Sequence, residues 1–574
     1  MENELIEPDE NEGKTLPWDQ FSEWLHCIAV VTFDLELGQA MEFVYPKHIE
    51  LSDTERTNIC YLAFPDSNSG CMGDTQYCFR IRRSKLAKSH KPEVDRIQNK
   101  NCPVMLLKDK THFYGYVYFR QVRDKTLKRG YFQKSVVLLS SLPYFNFFKD
   151  IVDIIAPEYF DNREPCLEAV CHDIDQWPCP IPGKTLSLPL MGMVLQVRIP
   201  TKQDKPGTTF LDNIDKKTSL ASLTLSSINE VDLFESFQQI LPHLHLIWEL
   251  ILLGEPLVVM ATSPTLCAST VLAFISSISP LRYQCDYRPY FTIHDSEFKE
   301  YTTKIQDPPH VLLGVTNPFF AKTFQNWPHV VRLSGVGLPN YGGSNPSLLN
   351  SDVKLKKVTK LKALDQKAGV FTKYKTFLKK DKMFLKNFTK GLVSKQSSRV
   401  QSNQLKRHFL ELTQSFVIPL ERYMASLMPL QKNISALRAP PSIRPFRPEE
   451  FLQMVESNGP QLTSGTKGDW TGLYRQFLRS PNFQHWHIQR RLEMEAKVMS
   501  LHLVALSEMD LRSWCGSKSE VEVVDVVLRL KQKVSLVNEH KIEVSEKTLE
   551  KLNSQLTTIK ETLPPDLQTI LSKD

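Results

Sequence analysis

The spacing of apolar positions changes character twice along the chain. Residues 30 to 46, VVTFDLELGQAMEFVYP, are two apolar runs broken at Gly38, the pattern of a β-hairpin ending in Tyr45-Pro46. In the Ser52-Asp53-Thr54-Glu55 stretch that follows, Ser52 and Glu55 can each satisfy a backbone donor of the other, which predicts a helix through about Phe64. Strand patterns return at 75–81, 112–122 and 130–141, with a lysine-rich loop near 83–101. YFNFFKDIVDIIAP then places apolar residues at helical intervals and is expected to stop at Pro157. The order of strand, strand, helix, three strands and helix predicts a small antiparallel sheet with helices packed on it.

Residues 160–230 are rich in Pro, Ser, Thr and Lys, with a strand pair near LSLPLMGMVLQVRIP and a loose loop at 201–218. From residue 231 helix and strand alternate. A helix carrying Phe237, Ile240, Leu244, Trp248 and Ile251 ends at Gly254, suited to the left-handed position beyond a helix end. PLVVMAT, HVLLGV (310–315) and HVVRL read as strands buried on both faces. Ser263 or Thr265 can cap the helix LCASTVLAFISSI, and Thr316 or Asn317 can cap one that begins at Pro318. This part is α/β with a mostly parallel sheet. After a Gly, Asn and Ser loop at 334–351 the pattern is helical throughout, with helices at 371–391, 402–427, 448–457, 482–510 and 520–537, the last opened by a second capping pair, Ser519 and Glu522.

Composition adds limits. The 574 residues are too many for one core, and 41% hydrophobic with 24% charged content is that of a globular protein. The longest apolar stretch, 244–261, is broken by Glu249, Gly254, Glu255 and Pro256, so no transmembrane helix is expected. The first 17 residues are acidic and lack a signal-peptide pattern, so a cytosolic chain is expected. Eleven scattered cysteines without zinc spacing read as thiols, and neither metal nor cofactor is expected. The net charge of +7 is concentrated: residues 353–407 carry 17 Lys or Arg against Asp365 and Asp381, leaving −8 for the remainder. That segment reads as a solvated face or, through Lys354, Lys356, Lys357, Lys360 and Lys362, as a contact for anionic membrane or an acidic partner.

Catalytic patterns fail. PDENEGKT (8–15) has Pro8 where a phosphate-binding loop needs glycine, GVGLPN lacks a third glycine, and neither a Gly-x-Ser-x-Gly elbow nor a His-Glu-x-x-His motif occurs. HFYGYVYF (112–119) overlaps an RNA-stacking strand, but Tyr114, Tyr116 and Tyr118 share one face and Phe113, Val117 and Phe119 the other, which fits a sheet covered on both sides better than a nucleic-acid platform.

FDLELGQAMEFVYP, APEYFD, CLEAVC, FTIHDSEFKE, GVTNPFF, LELTQSFVIPLERYMASLMPLQK and KSEVEVVD together resemble the sixth class of DENN-domain proteins over about residues 20–565. The resemblance implies a tripartite module: a disordered acidic N-terminus (1–19), a longin-like upstream lobe (20–205), a linker (206–230), a central α/β domain (231–350), a helical downstream region (351–510) and C-terminal helices (511–574). It implies a guanine-nucleotide exchange factor for a Rab GTPase, catalysing no covalent change, cytoplasmic and recruited peripherally to recycling endosomes. In such a protein the GTPase is expected beside the strand ends of the α/β domain, at Arg288, Tyr290, Asp295, Glu297 and Lys299, and at Asn317 and Phe320. The alternatives are a scaffold that binds a GTPase or membrane through 353–407 without exchange, and stimulation of GTP hydrolysis through an exposed Arg288.

Overall fold

The computed structural model describes residues 18–36, 38–66, 72–85, 98, 101–126, 130–204, 222–224, 228, 231–303, 307–334, 368–394, 396–436, 438–459, 466–516, 518–540 and 544–572. The chain divides into two compact units, the first spanning residues 1–414 with 464–469, the second 415–463 with 470–574.

The first unit opens on the antiparallel hairpin β1 (Cys27–Asp34) and β2 (Gly38–Tyr45), with Gly38 in the left-handed region. With β3 (Gly73–Arg82), β4 (His112–Arg123) and β5 (Tyr131–Ser140) it forms a five-stranded sheet in the order β2-β1-β5-β4-β3. The sheet is covered on both faces. Tyr114 and Tyr116 pack edge-on or tilted against Phe145 and Phe148 of the helix Phe145–Asn162. Phe113, Val117 and Phe119 join the core that includes Ile59 and Leu62 of the helix Asp53–Leu62, opened by the reciprocal Ser52–Glu55 cap. The aromatics of β4 are therefore buried and offer no stacking platform. Gly115 faces Phe79 across the β3–β4 pair, and a Cβ there would sit 2.1 Å from the Phe79 ring.

A second sheet follows β6 (Thr185–Leu190), β7 (Met193–Arg198) and β8 (Ser222–Thr224), a small separate ribbon. Its strands β9 (Leu257–Met260), β10 (Asp286–Arg288), β11 (Val311–Val315), β12 (His329–Arg332) and β13 (Gly369–Thr372) lie in the order β10-β11-β9-β12-β13. All pairings are parallel except β12–β13. The helix Pro264–Ser276, capped by Ser263, is shared with the first sheet: Ala268 lies in that sheet's core and Thr265 Oγ1 donates to the Gln76 carbonyl at 2.7 Å.

Several sequence expectations are corrected. The helix at Phe145 runs through Pro157 to Asn162, because buried Ile155, Ala156 and Tyr159 hold both sides of the lost hydrogen bond against the sheet. The helix expected to end at Gly254 is broken by Pro242 and begins afresh at Leu244. Residues 369–372 add an antiparallel edge strand where helix was expected, and the helix begins only at Lys382, capped by Asp381.

The second unit is helical. Phe416 and Tyr474 stack at 4.3 Å, and Leu503, Val527, Leu552 and Ile559 belong to one core cluster of its C-terminal helices. At Ser519 the backbone N–H donates to Glu522 at 3.1 Å, one half of the expected box. Among the described residues no helix is long and apolar enough to cross a membrane.

Candidate functional site

The two sheets of the first unit meet along β10. Arg80 of β3 donates to Asp286 Oδ1 at 2.6 Å and Asp109 Oδ2 at 2.9 Å, and its guanidinium lies 4.3 Å from the Tyr287 ring centre. Arg288 donates to Asp286 Oδ2 at 2.9 Å and the Arg80 carbonyl at 3.0 Å, and pairs with Glu297. Arg82 reaches Glu297 at 3.0 Å, and Tyr301 donates to Asp286 at 2.8 Å. Three arginines thus face three carboxylates. Burial pushes the Asp286 carboxyl up, but Arg288, Arg80 and His112 outweigh it and hold the group well below the ordinary carboxylate range.

A second set of contacts ties the carboxyl ends of β10 and β11 to the first sheet's helix. Asn58 and Ser296 exchange hydrogen bonds at 3.0 and 3.1 Å, and Tyr61 stacks on His294 at 4.5 Å. The Asp66 N–H donates to the Tyr290 hydroxyl at 2.8 Å, and Thr316 donates to the Asp66 carboxyl at 3.0 Å. Gly314 permits this approach, since a Cβ would stand 2.3 Å from the Pro289 carbonyl and 2.8 Å from Cys267 Sγ.

The expected contact residues separate by environment. Arg288 is 1% exposed, Tyr290 and Phe320 are fully buried, and Asp295 is buried with Oδ1 accepting the Glu297 N–H at 2.9 Å. Burial is the largest influence on Asp295 and raises its pKa to about 6; among the described residues its Oδ2 has no hydrogen-bond partner. Glu297 is half-buried in the arginine cluster. Asn317 is half-buried and accepts the Phe319 N–H at 3.0 Å, a capping role at the helix Phe319–Thr323. Lys299 is exposed. Phe319, whose neighbour Phe320 was the expected contact, is 52% exposed. The signal was present in the sequence: Phe320 and Phe324 stand four apart and stack at 5.1 Å, so Phe320 faces inward and Phe319 outward. Arg288 as an arginine presented to a nucleotide is corrected, because its guanidinium is consumed by Asp286, Glu297 and Arg80 beneath the surface. Lys354, Lys356, Lys357, Lys360 and Lys362 lie outside the described residues.

Three family profiles match: the DENN (AEX-3) domain over residues 131–321, transport protein Avl9 over 25–169, and the DENND6 C-terminal domain over 511–574. The chain is 56% identical to Protein DENND6A of Mus musculus over 99% of its length and 93% of the relative's, and 53% identical to Protein DENND6B of Homo sapiens over 97% and 94%. The chain belongs to the DENND6 family of DENN-domain proteins. A relative named Protein DENND6 homolog in Dictyostelium discoideum is 30% identical over 94% of the chain. The DENN match contains β9, β10 and β11 and ends within the helix Phe319–Thr323, so the strands that bridge the two sheets from the central side belong to the DENN domain itself.

Proposed function

We propose that this DENND6-family chain is a guanine-nucleotide exchange factor for a Rab GTPase in endosomal membrane traffic, recruited to membranes from the cytoplasm. The observation that carries the reading is the division of labour along β10 and β11: a buried ion network fixes the two sheets, while Lys299, His294 and Phe319 stand exposed on segments following the parallel strands. In a GTPase, phosphates and Mg²⁺ keep the switch loops ordered. A rigid surface that binds the empty form more tightly weakens nucleotide binding by the same factor, because the two affinities are linked. Each tenfold of weakening requires about 1.4 kcal/mol of differential contact, which a few anchors supply without an acid or base.

Phe319 is the aromatic anchor in this reading and Lys299 the charged contact. Arg288, Tyr290, Asp295, Glu297, Asn317 and Phe320 act by holding the segments that carry them. The test is release of labelled GDP across purified Rab proteins. Acceleration of a subset, lowered by Phe319→Ala about tenfold or more as expected of an interface anchor, is the expected result. A screen in which no Rab responds would overturn it.

A further inference from the structure

Glu249 is fully buried in the helix Leu244–Leu253, yet its carboxylate accepts three hydrogen bonds from one loop: Tyr374 hydroxyl at 2.9 Å, Phe377 N–H at 3.0 Å and Leu378 N–H at 2.8 Å. The loop so clamped presents Lys373, Lys375, Lys379 and Lys380 to solvent. It leads into the helix Lys382–Val393, whose inner face, with Leu385, Phe388 and Gly391, is buried, Phe388 lying 6.2 Å from Phe234. Lys382, Lys386 and Lys390 occupy the outer face at i, i+4 spacing.

Like charges so spaced disfavour a helix, and among the described residues none of the seven lysines makes an ion pair. The lone acid of the segment, Asp381, accepts the Phe384 N–H at 2.9 Å as the helix cap. Two apolar side chains stand on the same outer face: Met383 is 72% and Val393 67% exposed. At about 100° per residue Val393 falls within the arc of the three lysines and Met383 lies about 20° beyond its edge.

We propose that this fixed face, the clamped loop and the outer side of the Lys382–Val393 helix, docks on an anionic lipid bilayer. Lysines give diffuse attraction to headgroups, whereas carboxylate recognition on an acidic protein favours the forked guanidinium of arginine, and between Lys373 and Lys390 every basic residue is lysine. Met383 and Val393 enter the headgroup boundary while the lysine stems lie along it. This surface serves attachment and is independent of the exchange reading.

The test is sedimentation of the full chain with phosphatidylcholine vesicles with and without about 30% phosphatidylserine. Each basic residue near such a surface is worth about 1 kcal/mol, so Lys382→Gln, Lys386→Gln and Lys390→Gln combined should lower affinity on the order of a hundredfold. Met383→Ser with Val393→Ser should weaken binding several-fold, with lysines 354–362 left in place throughout. Melting temperature and GDP release from a soluble GTPase, read on the same preparations, should be unchanged, which separates failure here from failure of the exchange reading. Equal binding to neutral vesicles would overturn the proposal, as would undiminished binding by the triple variant. Binding to immobilised polyglutamate but to no vesicle would overturn it in favour of an acidic protein.

Discussion

At the scale of single residues, the ion network and the exposed ring make opposite predictions. Arg80 lies between Asp109 and Asp286, so Arg80→Met leaves the buried Asp109 and the half-buried Asp286 each short of a partner and should cost about 3–5 kcal/mol in denaturant unfolding. Phe320→Ala removes a buried ring stacked on Phe324 and should cost a similar 3–5 kcal/mol. Phe319→Ala should change stability by less than about 0.5 kcal/mol while lowering exchange. If Phe319→Ala destabilises as much as Phe320→Ala, the outward assignment of that ring fails. The sequence singles out these segments but does not sort their side chains into buried and exposed. Arg288 and Glu297 look like surface charges in RPYFTIHDSEFKE, and what buries them arrives from Arg80 and Arg82, more than 200 positions earlier. No local pattern encodes such a pairing.

At the scale of elements, local chemistry was legible wherever the controlling contacts were local. The hairpin around Gly38, the Ser52–Glu55 box, the Ser263 cap and the short parallel strands all follow from neighbouring residues. β13 was not, because GVFT becomes a strand only by pairing with β12, nearly 40 residues away. Where elements pack, Gly314→Ala should destabilise by about 1–3 kcal/mol, since a methyl group there pushes on the Pro289 carbonyl, and unfolding at wild-type denaturant concentration would contradict this. The packing of the helices Leu244–Leu253 and Ser398–Leu427 also sets an acid response. His245 and His408 meet at 3.3 Å between ring nitrogens, and burial lowers both to about 4 from 6.5. The unfolded chain therefore takes up protons between pH 6.5 and 4 that the folded chain refuses; their contribution is present above 6.5 and lost as pH falls toward 4. Asp295 has the opposite sign: raised to about 6, its contribution is present below about 4 and lost as pH rises through 6. Chemical unfolding at stepped pH should show stability falling less steeply on acidification in His245→Asn and more steeply in Asp295→Asn. Parallel curves for all three proteins would refute the assignment.

At the scale of the whole molecule, the proposed exchange activity rests on binding preference. A buried ionic seam is weak evidence for stability, since apolar packing of equal volume serves as well. In the proposed exchange reading its use is to fix the geometry between two sheets whose joint surface distinguishes two states of a partner, since a surface that yields equally to both shifts nothing. The most direct measurement is calorimetric affinity for one responsive Rab, prepared nucleotide-free and GDP-loaded. The account predicts tighter binding to the empty form, by the same factor by which this protein lowers that Rab's affinity for GDP. Equal affinity for the two forms would contradict it.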